Sequence, residues 1–115
     1  MPDDCIFCKI LKGEIPSDKV YEDDFIYAFN DITPQSPVHT LIIPKKHING
    51  INDIGTENTE LIQKMFSSVP EIANIKGIKE SGYRVIINSG PDGLQTVPHI
   101  HIHILGGRKL KWPPG

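Results

Sequence analysis

Three of the chain's five histidines stand together in His99-Ile100-His101-Ile102-His103-Ile104-Leu105. In a strand, side chains alternate between faces, so His99, His101 and His103 share one face and the three isoleucines take the other. Successive imidazoles in such a row stand about 6.6 Å apart, at roughly 3.3 Å of rise per residue. A helix would scatter them. Imidazole, with an ordinary pKa of about 6.5, can serve as nucleophile, acid or base near neutrality. Attack on phosphorus or on a carbonyl would form a covalent intermediate and divide one displacement into two. Imidazoles two apart on a strand can also share a catalytic zinc. A solvated polar face is the plainest reading, and the unbroken alternation with isoleucine argues against it.

Cys5 and Cys8 are the next candidates. Cys-x-x-Cys suits a redox pair, two small buried residues, or half of a zinc site. The βαβ context of a thioredoxin-like pair is missing, whereas zinc accepts two thiolates and two imidazoles in a closed tetrahedron. Spacing alone does not say which histidines would join. The loop Asp92–Pro98 can bring backbone N–H groups and the Thr96 hydroxyl close to a phosphate. Asp31, before Thr33-Pro34, reads as a turn residue. Ile6, Phe7, Phe29 and Ile32 read by themselves as ordinary core.

These side chains need a scaffold. Residues 5–12 suit a short helical turn closed by Gly13 and followed by Pro16. Lys19–Glu22 and Phe25–Asn30 read as strands about an Asp23-Asp24 turn, and His39–Pro44 as a third. Leu61, Ile62, Met65, Phe66, Val69, Ile72 and Ala73 form one apolar stripe, which predicts a core-facing helix over 57–75 with Thr56 or Thr59 as its cap. Pro70 should kink or divide that helix. Tyr83–Ser89 is a fourth strand, Gly90–Gly93 a turn, and Val97–Leu105 a fifth strand. One main helix, a short N-terminal helix and five mostly consecutive strands predict an α+β domain with an antiparallel sheet, filling residues 1–115.

Composition narrows the function. The 115 residues carry a net charge of −2 with the charges scattered, so no basic stripe grips nucleic acid. No apolar run reaches the roughly 18 residues of a membrane span. The acidic N-terminus lacks the plan of a signal peptide, so we expect a cytoplasmic chain whose cysteines are thiolates, free or on a metal.

The pattern His-φ-His-φ-His-φ-φ (φ apolar) over residues 99–105 resembles the signature of the histidine-triad superfamily of nucleotide hydrolases and transferases. The likeness extends through Cys5–Ile10, Tyr21–Asp24, Phe29–Ile32, His39, Pro44–Ile48, Asn88–Gly90, Gly106–Arg108 and Trp112–Gly115. The terminal Trp-Pro-Pro-Gly and the short length look like the histidine-triad nucleotide-binding (Hint) branch, the purine nucleoside phosphoramidases. The resemblance implies that His101 attacks the α-phosphate of a nucleoside 5′-phosphoramidate, forming a nucleotidyl-histidine that water then hydrolyses. It casts His103 as a phosphate contact or proton carrier and His39 as a support of the triad from the neighbouring strand. Thr96, where the family usually has serine, keeps a hydroxyl for the phosphate, and Pro98 replaces a frequent aromatic. Asp31 would bond the ribose, Asn88 would lie near the ribose and phosphate, and Leu94 and Gln95 would belong to the phosphate loop. Ile6, Phe7, Phe29 and Ile32 would wall an AMP-like purine nucleotide. The same resemblance assigns a structural zinc to Cys5, Cys8, His47 and His99. It also implies a homodimer in which the Trp112 tail reaches the partner's site. Hydrolysis of dinucleoside polyphosphates or nucleotidyl adducts, a nucleotide-binding scaffold, and a zinc hydrolase are the alternative readings.

Overall fold

The run Val38–Pro44 is buried on both faces, so the chain must cover it twice. That requirement sets the architecture. The computed structural model describes residues 2–115. Five strands, β1 (Lys19–Glu22), β2 (Ile26–Asn30), β3 (Val38–Pro44), β4 (Tyr83–Ile86) and β5 (Ile102–Gly106), form one antiparallel sheet in the order β1-β2-β3-β5-β4. Helix α2 (Thr59–Ile75) covers one face, where Met65, Val69, Ile72 and Ala73 pack with Ile26, Ala28, Ile42, Ile102 and Ile104. The short helix α1 (Ile6–Leu11) covers the other, packing Phe7 and Cys8 with Phe29, Leu41 and Ile43. Alternation along β3 and β5 therefore sorts Ile42, Ile102 and Ile104 toward α2 and His39, Leu41, Ile43 and His103 toward α1.

Local chemistry explains the connections. Gly13 closes α1 at φ +78°, a left-handed conformation that glycine adopts freely. Asp23 turns β1 into β2 by accepting on Oδ1 from the amides of Phe25 (2.8 Å) and Ile26 (2.9 Å). No helix is long and apolar enough to cross a membrane among the described residues.

Five expectations need correction. Pro70 does not divide α2, which runs unbroken from Thr59 to Ile75. The carbonyl that Pro70 leaves without an amide donor belongs to Phe66, and both residues are exposed, so water can serve it. Phe66 accordingly leaves the apolar stripe. Neither Thr56 nor Thr59 caps α2: Asn58 holds the cap position without a side-chain cap bond, its Oδ1 accepting instead from Lys46 Nζ. The fourth strand ends at Ile86 rather than Ser89. The fifth begins at Ile102 rather than Val97 and runs to Gly106. Its ladder with β3 stops at the pair Ile42–Ile102, because Pro44 has no amide to continue it. Ile100 N–H turns to the Ile48 carbonyl at 2.7 Å instead. The alternation nevertheless survives ahead of the strand, with Ile100 in the α2-side core and His99 and His101 against Phe7.

Candidate active site

All five histidines gather on the α1 side of the sheet, in two groups. His39 and His103 are diagonal neighbours on β3 and β5, since His39 lies opposite Leu105 and His103 opposite Leu41. Their rings meet at 2.9 Å, His39 Nε2 to His103 Nδ1. Hydrogen-bond partners fix the proton positions. His39 Nδ1 accepts from the Gln35 amide at 3.0 Å, so a neutral His39 carries its proton on Nε2 and donates it to His103. Neutral His103 then keeps its own proton on Nε2. Asp31 Oδ2 stands 3.5 Å from His39 Nε2, while Asp31 Oδ1 accepts from the Thr33 amide and hydroxyl, so the turn reading of Asp31 also holds. His101 donates Nδ1–H to the His99 carbonyl at 2.8 Å, and its Nε2 lone pair is thereby free.

His101 and His103 face a cleft of about 290 Å³. Its apolar walls come from Ile6 and Phe7 on α1, Phe29 on β2 and Ile32 beyond it, with Asp31 and Thr96 at the rim. Phe7 meets Phe29 edge to face at 5.7 Å and His101 at 5.1 Å. Burial holds every imidazole of the row below its ordinary range, because a charged ring loses water there. His103 falls to about 4, with His101 and His39 adding like-charge repulsion, and His101 and His39 themselves shift downward by burial. Near neutrality the row is uncharged. That is the state in which His101 can be a nucleophile.

The second group holds Cys5, Cys8, His47 and His99, whose Sγ and Nδ1 atoms lie within 4.8 Å of one another. His99 donates Nε2–H to the Pro44 carbonyl (2.9 Å), and His47 donates Nε2–H to Asn49 Oδ1 (2.7 Å). Both Nδ1 lone pairs therefore point inward and stand 3.1 Å apart with no proton between them. Cys5 Sγ is 3.4 Å from His99 Nδ1, and Cys8 Sγ is 3.3 Å from His47 Nδ1. Burial, reinforced by Cys5, pushes the Cys8 thiol up to about 11. A cation among the four donors would resolve both the facing lone pairs and the reluctant thiol, and two sulfurs with two imidazole nitrogens suit zinc. The residues present fit a four-ligand zinc site with its outer partners, Pro44 and Asn49, in place.

The sequence-derived candidates separate here. Ile6, Phe7, Phe29, Asp31, Ile32, Thr96, His101 and His103 line the cleft, and His39 stands directly behind His103. Asn88, Leu94 and Gln95 do not line it. Asn88 Nδ2 donates to the Gly93 carbonyl, Leu94 is exposed, and Gln95 turns to the far side of the loop. Ile10, Ile15, Leu41 and Val97 line the cleft without having been singled out. Leu41 was within reach, since it sits two residues from His39 on the same strand face; Ile15, in an irregular connection, carried no such signal.

A family model described as the HIT domain matches residues 12–110. The chain belongs to the HIT family. This HIT protein is 48% identical over 110 residues to a purine nucleoside phosphoramidase of Escherichia coli, covering 96% of this chain and 92% of the relative. It is 46% identical to a 14 kDa zinc-binding protein of Brassica juncea, over 97% of this chain and all of that one. Among solved structures, a HIT family hydrolase from Legionella pneumophila superposes with a TM-score of 0.94 at 50% identity, over 97% of this chain and 100% of the other. The five-stranded sheet with one main and one short helix is the arrangement expected of the family.

Proposed function

We propose that this HIT protein is a nucleotide hydrolase that cleaves the P–N bond of purine nucleoside 5′-phosphoramidates, with His101 as nucleophile. One observation carries the reading: the His99 carbonyl accepts a hydrogen bond from His101 Nδ1–H, leaving the Nε2 lone pair free on a ring that faces an apolar cleft. The name of the Escherichia coli relative supports the substrate class. In the first step a bond forms from Nε2 to the α-phosphorus and the P–N bond breaks. The departing nitrogen gains a proton, for which His103 Nε2–H is the candidate donor, and His39 Nε2–H supports His103 from behind. Water then attacks phosphorus and gives a proton to the vacated Nε2 of His103, the bond to Nε2 of His101 breaks, and the nucleoside monophosphate leaves with both imidazoles restored. Ile6, Phe7, Phe29 and Ile32 take the purine, Asp31 the ribose hydroxyls and Thr96 a phosphate oxygen. Asn88, Leu94 and Gln95 serve the phosphate through the loop's shape.

Zinc, when bound by Cys5, Cys8, His47 and His99, supplies a closed structural staple between α1 and the segment leading into β5. We further propose that the protein works in the cytoplasm as a homodimer whose Trp112 tail lies near the partner's cleft. Within its own chain that tail is held by Arg84, with the guanidinium 5.6 Å from the Trp112 ring centre and Nη2 donating to the Lys111 carbonyl.

Intact-mass measurement on protein quenched during turnover of adenosine 5′-phosphoramidate tests the chemistry. The expected result is a protein species heavier by one adenylyl group, absent in His101→Ala. Turnover without any adduct, in a variant that lacks His101, would transfer the reaction to another nucleophile. Preference for dinucleoside polyphosphates over the phosphoramidate would move the substrate class within the same family.

A further inference from the structure

Gln95 belongs by sequence to the loop beside the cleft, yet its side chain points away from it. Its Nε2 donates to the Asn49 carbonyl at 2.6 Å and to the Val97 carbonyl at 3.1 Å, while Oε1 accepts from the Gly90 amide at 3.3 Å. One amide thus ties both ends of the loop 90–97 to the segment 47–50. The packing there leaves little slack: a Cβ on Gly50 would sit 3.0 Å from Gln95 Oε1, and a Cβ on Gly93 would sit 2.4 Å from the Ser89 carbonyl oxygen. Leu94, next to Gln95, adopts φ 59°, a conformation that a branched side chain takes only when its surroundings impose it. Asn49, the residue that Gln95 holds by its carbonyl, is also the residue whose Oδ1 orients His47. A single residue therefore sits between the cysteine–histidine cluster and the loop that carries Thr96 and Val97 to the cleft.

We propose that Gln95 is a positioning residue: it clamps the phosphate-side loop onto Asn49 and makes the metal site and the cleft share one brace. Its two N–H donors are the active part, because one amide nitrogen bonds the Asn49 and Val97 carbonyls at once. By linkage, whatever the brace transmits must act in both directions, so AMP tightens zinc binding by the same factor as zinc tightens AMP binding. The AMP half of this statement rests on the proposed function; the loop and metal halves do not.

The test uses the full chain with Gln95→Leu, which keeps bulk, and Gln95→Glu, which keeps the acceptor for Gly90 but loses both donors. Gln95 is only half-buried, so both variants should fold. Three readouts are expected in each: amide exchange over residues 90–97 faster by about tenfold or more, zinc held several-fold more weakly in chelator competition, and AMP affinity reduced with adenosine affinity unchanged. The AMP-dependent gain in zinc affinity should vanish. Unchanged amide exchange and unchanged zinc affinity in both variants would overturn the clamp. Loss of AMP affinity with zinc affinity intact would instead make Gln95 a direct nucleotide contact and overturn it equally. If wild type fails to bind AMP, the nucleotide reading fails, and zinc affinity and amide exchange still decide for or against the clamp.

Discussion

The two histidine groups use one side chain in opposite ways, and the difference lies in where each ring sends its N–H. In the cysteine cluster both rings donate outward, His99 to the Pro44 carbonyl and His47 to Asn49, so the free lone pairs converge on one point. In the cleft row the lone pairs are not pooled. His39 donates its Nε2–H to His103, and His101 donates its Nδ1–H to the His99 carbonyl and keeps one lone pair free. Convergent lone pairs make a cation site, whereas a single free lone pair beside a donor makes a nucleophile with a proton source. Phe7 stands between the groups, its ring 5.8 Å from that of His99 and 5.1 Å from that of His101. Neighbours two residues apart in sequence are thereby assigned to different chemistry.

The sharpest way to break this comparison is to show that one group does the other's work. His101→Ala should lower turnover of adenosine 5′-phosphoramidate by at least about three orders of magnitude, because the covalent step is lost. Its thermal midpoint, zinc content and AMP affinity should stay close to wild type. The complementary change is Cys5→Ser combined with Cys8→Ser. Zinc should fall from one ion per chain to none by metal analysis, with the thermal midpoint lowered by roughly 10 °C, since a closed site contributes folding energy in a chain this small. Chemistry at His101 should persist at temperatures where the double variant is folded. Activity that disappears on mild chelation while the protein stays folded would put the metal in the reaction and erase the distinction.

How much of this could be read from the sequence differed between strands and loops. Period two is a geometric rule, so the faces of His99–Ile104 were legible, and so were the bounds of β1. The stripe on α2 was legible for the same reason at its own period. The end of the β5 ladder depended on Pro44, which lies 53 residues before the fifth strand's expected start at Val97, and no local signal near Val97 reports it. The direction of Gln95 was hidden more deeply. It depends on the left-handed turn at Leu94, which a leucine does not announce, and loops have no period from which a face can be inferred. Cys-x-x-Cys announced a cluster, but only the fold shows that His47 and His99 point their Nδ1 atoms at it.

A finer test concerns pH, and its effect is the smallest. His103 titrates at about 4 in the folded protein and His39 and His101 are also lowered, all chiefly by burial, against an unfolded value of about 6.5. The sign follows from proton counting. Above pH ~6.5 both states are neutral at these rings and the full stability is present. As pH falls from there toward 4, the unfolded chain takes up protons that the folded one refuses, so stability is lost. Thermal midpoints measured at pH 7 and pH 5 on zinc-loaded protein should therefore fall for wild type. His103→Gln removes one of the refusing groups, and its midpoint should fall less over the same interval, by on the order of a few degrees. The cysteine cluster is common to both proteins, so its own acid sensitivity cancels in the difference. Equal falls in wild type and variant would mean that His103 is as well solvated folded as unfolded, and the uncharged row on which His101's nucleophilicity depends would lose its basis.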